Sequence, residues 1–159
     1  MSDSDEDDDI QVKVHVTFDG GDRPAAGEFM WAKMIKGRPY HYEISNIPFF
    51  AYNIHLGDIV HAVPAGDFQR EVQGVVERGE NTTVRVAWVP DAEGAAPTVE
   101  QLIQELSDMG VAIERAFDGY VAMSLPSCVD EELVVTMLDT AAQHEDIHWE
   151  PGLDEEVTW

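Results

Sequence analysis

The stretch of sequence that decides the fold runs from residue 42 to residue 60 and reads YEISNIPFFAYNIHLGDIV. It joins two β-rich segments, residues 40–44 and 59–63. Pro48 fixes its own φ and pushes the preceding residue toward extended geometry, so the first strand should end or bend there. The pair Gly57-Asp58 is typical of a turn that leads into a strand. The stretch therefore predicts consecutive strands of a small barrel or curled sheet.

Between these strands lie three aromatic residues, Phe49, Phe50 and Tyr52. Connecting segments are usually polar and exposed, so aromatic side chains here belong either to the core or to a contact surface. The core is the favoured location, because large apolar side chains are mostly buried.

A longer pattern surrounds this stretch: Gly27-Glu28-x-x-Trp31, Asn46-Ile47-Pro48-Phe49-Phe50-Ala51, Gly57-Asp58-x-Val60 and Thr83-Val84-Arg85-Val86. The pattern resembles the bacterial and archaeal domain-of-unknown-function family numbered 4265. The resemblance covers roughly residues 12–150, and it implies no catalytic residue.

Composition places the chain among ordinary single-domain or two-subdomain globular proteins, with 159 residues of which 44% are hydrophobic. No apolar run approaches the length of about 20 residues that a membrane-spanning helix needs. The N-terminus carries acids where a signal peptide carries bases, so we expect a cytoplasmic protein. Cys128 is the single cysteine, which rules out an intrachain disulfide and favours an inert, buried thiol.

Charge is the most unusual feature of the composition: 32 acids stand against 9 bases, for a net charge of -23. Six acids lie in residues 1–9 and six more in residues 145–159, and neither segment contains a Lys or Arg. Without these twelve acids, 20 acids and 9 bases remain, so the body of the protein carries a charge of -11. The acidity is therefore a property of the whole chain.

Two interpretations of this charge compete. Dense carboxylates keep a protein hydrated and soluble in a cytoplasm of molar salt, where their repulsion is screened. Alternatively, the charge attracts a basic partner. The spread of acids over body and tails favours the first interpretation, halophilic adaptation.

Alternating patterns and turn signals divide the first half into strands. Residues 1–10 form an acidic tail that we expect to be disordered, and residues 11–80 a β-rich subdomain. Its predicted strands cover residues 11–18, 28–35, 40–44, 58–64 and 70–77. Five short strands at this spacing predict a small bent sheet or barrel.

The second half, residues 81–151, alternates strands and helices, and residues 152–159 form an acidic C-terminal tail. A strand over residues 83–89 precedes a helix that begins at Thr98 with a capping box and stops at Gly110. Strands over residues 111–117 and 120–125 follow, joined by a three-residue loop, Asp118-Gly119-Tyr120. Ser127 or Asp130 caps a second helix that ends near His144, and a short strand covers residues 147–149. This order predicts an α+β protein whose second half is a ferredoxin-like βαββαβ unit.

Motifs for catalysis, cofactors and metals are missing from the sequence. The six histidines show no HExxH, HxH or Cys-His spacing, so we predict no metal site. No glycine-rich phosphate-binding motif occurs, and no cofactor is predicted. The net charge of -11 on the body of the protein also disfavours nucleic-acid binding, because phosphates are neutralised by clustered Lys and Arg side chains. The nearest approach to such a cluster is Lys33, Lys36 and Arg38.

The sequence favours an uncharacterised, non-enzymatic protein-interaction or regulatory module. One form of this hypothesis is an inhibitor or immunity-type protein that binds a basic partner. The candidate binding residues lie in residues 28–31 and 46–58; they are Glu28, Trp31, Asn46, Pro48, Phe49, Phe50 and Asp58. The alternative is a small-molecule-binding or enzymatic domain with a pocket between the two halves, near His41, His55 and Asp58.

Thermal unfolding at two salt concentrations tests the halophilic interpretation. We expect a low melting temperature at about 0.1 M KCl and a much higher one at about 3 M, because screening relieves the repulsion among carboxylates. Tryptophan fluorescence reports the transition. A protein that is equally stable at both concentrations would contradict halophilic adaptation and leave attraction of a basic partner as the explanation of the charge.

Overall fold

A computed structural model describes residues 10–18, 27–66, 69–89, 95–143 and 147–153. The protein is α+β, and the described residues divide into two compact units between Glu80 and Asn81. Most of the two predicted tails, namely residues 1–9 of the tail 1–10 and residues 154–159 of the tail 152–159, lies outside the described residues, as does His144.

The first unit is a closed five-stranded barrel with neighbours in the order β1-β2-β3-β4-β5. Its strands are β1 (Gln11–Thr17), β2 (Gly27–Met34), β3 (His41–Ile44), β4 (Ile59–Pro64) and β5 (Arg70–Glu77). The five strands predicted for this half are therefore present, each within one residue at either end. Successive neighbours are antiparallel, and a parallel contact between β1 and β5 closes the barrel.

Strict alternation builds the interior of the barrel. On β1, Val14 and Val16 are fully buried, while the alternate residues Lys13 and His15 face outward. The opposite residues on β2, Met30 and Glu28, also point inward. The remaining barrel core consists of Ala32, Tyr42, Ile44, Ala51, Ile54, Val60, Ala62 and Val72. Because side chains alternate with period two, inward burial fixes which residues the barrel displays outside.

The second unit is an antiparallel sheet with two helices. Its elements in chain order are β6 (Thr82–Trp88), α1 (Ala95–Asp108), β7 (Ala112–Phe117), β8 (Tyr120–Leu125), α2 (Glu131–Ala142) and β9 (Ile147–Pro151). The strands lie in the order β7-β8-β6-β9. Helix residues such as Leu106 and Leu138 pack with strand residues such as Val86, Val121 and Met123 in one core.

The structure contradicts the predicted start of the first helix and decides between the two predicted caps of the second. Helix α1 begins at Ala95, so the prediction of a start at Thr98 is wrong. Pro97 is compatible with this earlier start, since the first turn of a helix leaves its N–H groups unpaired in any case. At α2 the structure decides between the two candidates: Asp130 is the N-cap, and its side chain accepts a hydrogen bond from Leu133 N.

The hairpin between β7 and β8 corrects a second prediction. Its loop is the two-residue turn Asp118-Gly119 rather than a three-residue loop, and Phe117 lies opposite Tyr120 with the rings stacked. A bulge between Arg115 and Phe117 shifts the pairing register by one residue just before this turn. Phe117 is 59% exposed. Gly119 has the positive φ, 90°, that the turn requires.

The structure also corrects the prediction for Cys128. Its side chain is exposed, whereas the sequence favoured a buried thiol. The residue lies two positions before the N-cap of α2, in a turn that a hydrophobic core does not cover. Within the described part of the chain, the helices are too short or too polar to cross a bilayer.

A matched pair of leucines on the two helices tests the core of the second unit. Leu106 of α1 is completely buried, whereas Leu133 of α2 is 47% exposed. We expect Leu106→Ala to lower the free energy of unfolding by about 2–5 kcal/mol, because it leaves a cavity. Leu133→Ala should cost about 0.5 kcal/mol or less. Urea denaturation of both variants measures the difference, and equal losses would contradict this packing.

Candidate functional site

Glu28 holds the connection between β3 and β4 against the barrel. Its carboxylate accepts three backbone hydrogen bonds, from Phe49 N at 2.6 Å, Phe50 N at 3.0 Å and Ala51 N at 2.9 Å. The Glu28 side chain is only 7% exposed. A buried carboxylate is costly unless charge-assisted hydrogen bonds satisfy it, and these three donors do so. Glu28 is therefore a structural anchor rather than a free binding group.

Asp58 anchors the other end of the same connection. Its Oδ2 accepts from His55 N and from Arg78 Nη1, both at 2.9 Å, and its Oδ1 accepts from Gly79 N at 2.7 Å. Asp58 is fully buried. Gly79 lies so close to Gly57 that a Cβ on it would fall 2.9 Å from the Gly57 carbonyl carbon. Both carboxylate oxygens are thus used to join the connection to the end of β5.

Asn46 forms the third tie of the connection. Its Oδ1 accepts a hydrogen bond from Trp31 N at 2.5 Å, and Ser45 N donates to Trp31 O at 2.9 Å. The Ser45 hydroxyl in turn donates to Gln11 Oε1 at 2.7 Å. The backbone of Trp31 is therefore fixed from both sides.

The side chain of Trp31 belongs to an exposed surface on the outside of the barrel. This outer β1–β2 face, as we call it, consists of Lys13, His15, Phe29 and Trp31. Phe29 is 56% exposed and Trp31 is 49% exposed. Each lies opposite a cationic or titratable residue of β1: Lys13 faces Trp31, and His15 faces Phe29.

Ring contacts organise the outer β1–β2 face. Lys13 Nζ lies 5.1 Å from the centroid of the Trp31 ring, a cation–π contact. The His15 and Phe29 rings are 4.6 Å apart between centroids and tilted by 56°. The face therefore presents two aromatic rings, of which one already receives an ammonium group.

The seven residues predicted as a binding site thus separate into anchors and surface residues. Glu28 and Asp58 are buried anchors, and Pro48 is buried as well. Phe50 is 47% exposed, which corrects the expectation that the aromatic residues of the connection belong to the core. Phe49 is half-buried, with its ring centroid 6.4 Å from that of Phe50.

The sequence did not predict the cluster around His15. Glu71 accepts from Thr17 Oγ1 at 2.6 Å, and both of its carboxylate oxygens lie 3.0 Å from His15 Nδ1. The amide nitrogen of Gln69 lies 3.2 Å from the same Nδ1. His15 and Glu71 are also the residues at which β1 and β5 pair, so the cluster closes the barrel. No local pattern could reveal a contact between residues 56 positions apart.

Metal binding by a larger cluster finds no support: within the described ranges, no group of three or more His, Cys, Asp and Glu residues is arranged to hold an ion. His55, predicted near a possible pocket, is buried and donates its backbone N–H to Asp58. His41 lies on β3 opposite His61 on β4.

Replacing Glu28 by glutamine tests the anchor. An amide offers one acceptor oxygen where the loop presents three N–H donors, and its own NH₂ group opposes them. We expect Glu28→Gln to lower the free energy of unfolding by about 2–3 kcal/mol, since hydrogen bonds to a charged group are lost. Glu77→Gln is the control, because Glu77 forms an exposed ion pair with Arg38 at 3.0 Å and should cost about 0.5 kcal/mol or less. Equal stability of both variants in urea would contradict the anchoring role.

Comparison with known proteins identifies a family and a solved structure of similar fold. No curated protein matches the chain. The chain is similar to a solved structure described as "Novel crystal structure of a hypothetical protein from Neisseria gonorrhoeae", with a TM-score of 0.74 and 16% sequence identity over 91% of this chain and 95% of that chain. At this identity the likeness shows the fold alone. The family model described as "Domain of unknown function (DUF4265)" matches residues 28–149. The chain therefore belongs to the DUF4265 family.

Proposed function

We propose that this protein is a non-enzymatic binding module that holds a basic segment of a partner protein on its outer β1–β2 face. The observation that carries the proposal is the contact between Lys13 Nζ and the Trp31 ring, at 5.1 Å. It demonstrates an exposed aromatic surface with access for a cation. Arg and Lys side chains of a partner stack on such rings in the same way.

The barrel presents this surface rigidly. Phe29 and Trp31 alternate with the buried residues Glu28 and Met30, so a rotation of β2 would expose the core. Asn46 and Ser45 fix the main chain of Trp31 in addition. Aromatic residues held in place lose little conformational entropy on binding, and Trp is among the residues that contribute most to interfaces.

The charge of the chain favours a basic partner. A net charge of -23 attracts cationic segments over long distances at moderate ionic strength. At molar salt this attraction is screened, whereas the apolar part of the contact with Phe29 and Trp31 remains. The combination supports a binding function under either interpretation of the acidity. A cytoplasmic location is part of the proposal.

We also propose a ferredoxin-like assignment for the second unit. The element order strand, helix, strand, strand, helix, strand supports it, as does the strand order β7-β8-β6-β9 with antiparallel neighbours. The assignment concerns architecture, since folds of this kind serve many functions.

The enzymatic alternative has weaker support. It relied on Asp58 as an available carboxylate near His41 and His55, but both oxygens of Asp58 accept hydrogen bonds within the barrel. A catalytic acid or base needs to reach its substrate, and a fully buried anchor does not.

Titration with a short peptide of alternating arginine and leucine tests the proposed function. Trp31→Ala and Phe29→Ala should each weaken binding by about 30-fold, the effect of losing a residue worth about 2 kcal/mol at an interface. Phe117→Ala is the matched control, because Phe117 is an equally exposed aromatic residue in the second unit. Calorimetry at about 0.15 M salt measures the affinities.

Two results would overturn the proposal. One is equal affinity of all three variants, which would indicate binding by diffuse charge alone. The other is no measurable affinity of the unaltered protein for the peptide. Circular dichroism of each variant shows that the barrel is intact, so that a loss of binding reports on the surface.

A further inference from the structure

The outside of the barrel carries a second cluster, on β3 and β4 rather than on the outer β1–β2 face. His41 and His61 lie directly opposite each other in the antiparallel pairing of these strands. Their ring centroids are 5.5 Å apart and the rings are tilted by 41°. Both side chains are half-buried, so water and ions reach them while their rotation is restricted.

The pairing type brings the two imidazoles close together. Ala62 N donates to Tyr40 O, and Ile44 N donates to Asp58 O, both at 2.9 Å. The hydrogen-bonded positions are therefore the flanking ones, and His41 and His61 occupy the non-hydrogen-bonded position between them. Side chains at such a position are the nearest that antiparallel strands allow, with Cα atoms about 4.5 Å apart.

The tautomer of His41 is set by its surroundings. Nδ1 lies 2.8 Å from the carbonyl oxygen of Pro39, which can only accept a hydrogen bond, so Nδ1 carries the proton. Nε2 then presents a lone pair. A backbone carbonyl on one nitrogen is the usual support of a histidine that binds a metal through the other. Within the described part of the chain, Nε2 of His41 and both ring nitrogens of His61 have no hydrogen-bond partner.

The turn before His41 holds this arrangement. Tyr40 adopts a positive φ of 64°, which is uncommon for a residue with a side chain. His41 N donates to Arg38 O at 3.2 Å across the same turn. Backbone conformations of this kind persist where surrounding contacts fix them, and they are frequent at functional positions.

We propose that His41 and His61 together bind a transition-metal ion such as Zn²⁺, Ni²⁺ or Cu²⁺, with water in the remaining coordination positions. With a bond of about 2.1 Å from nitrogen to metal, the ion lies about 3.2 Å from each ring centroid. A tetrahedral angle at the ion then separates the centroids by about 5.2 Å. The observed centroid separation of 5.5 Å is close to this value.

The neighbourhood suits a cation. Opposite His61 on β5 stands Gly74, which adds no side chain over the pair. The guanidinium of Arg38 is engaged by Glu77 at 3.0 Å, and the net charge of -23 concentrates cations around the protein. Imidazole nitrogens prefer Zn, Cu and Ni over Mg or Ca, which fixes the class of ion.

Titration of the full chain with NiCl₂ tests the site, in a Cys128→Ser background that removes the exposed thiol as a competing ligand. We expect one Ni²⁺ per chain and a melting temperature that rises with metal concentration. His41→Ala and His61→Ala should each weaken binding by at least about 10-fold, the loss already typical of removing a residue that merely supports a ligand. The double variant should lose at least as much affinity as either single variant.

His148→Gln provides the control, because His148 is an exposed histidine on β9 of the second unit. It should bind Ni²⁺ as the background does. The proposal is overturned if His148→Gln loses as much affinity as His41→Ala, if either histidine of the pair is dispensable, or if binding persists unchanged in the double variant. Calorimetry and the melting temperature give two readouts that require no knowledge of activity.

Discussion

The barrel depends on the burial of two negative charges. Glu28 and Asp58 are both buried. Glu28 accepts three backbone N–H groups of the connection between β3 and β4. Asp58 accepts one N–H of that connection, from His55, together with Gly79 N and Arg78 Nη1 from the segment after β5. Leaving either carboxylate unsatisfied would cost several kcal/mol. Both carboxylates therefore hold the connection in the conformation that positions Phe49 and Phe50. In a chain with 32 acids, these two are distinguished by their surroundings alone.

In the candidate site, the buried anchors support the barrel while neighbouring residues on the same strand are exposed for contact. Glu28 points inward and Trp31 outward on one strand, so a short segment contributes both a support and an exposed ring. Asn46 extends the support to the main chain of Trp31. Such a division is what a rigid recognition surface requires, since the contacting groups do not have to be ordered at the moment of binding.

Sequence patterns predicted the elements well and their long-range contacts poorly. The alternation of apolar and polar residues predicted the strands of the barrel, because inward-facing residues such as Val14 and Val16 recur at every second position. The sequence predicted Asp58 as a turn residue. It did not predict the hydrogen bonds that Asp58 accepts from Arg78 and Gly79, which follow the end of β5. The bulge at Arg115 and the start of α1 at Ala95 carried no local signal that the sequence patterns recognised. The pairs Glu71–His15 and His61–His41 likewise exist only once strands are neighbours.

The closure of the barrel has a kinetic and dynamic consequence. Pairing extends over seven positions between β1 and β2, whereas the described residues of β1 and β5 pair at one position, His15 opposite Glu71. Bringing these residues together closes a loop of some 56 residues, which is entropically the most expensive step in forming the barrel. We therefore expect the seam between β1 and β5 to form late in folding and to open early. Side-chain contacts join the two strands at this seam, where backbone pairing is sparse. They are made by His15, Thr17, Gln69 and Glu71.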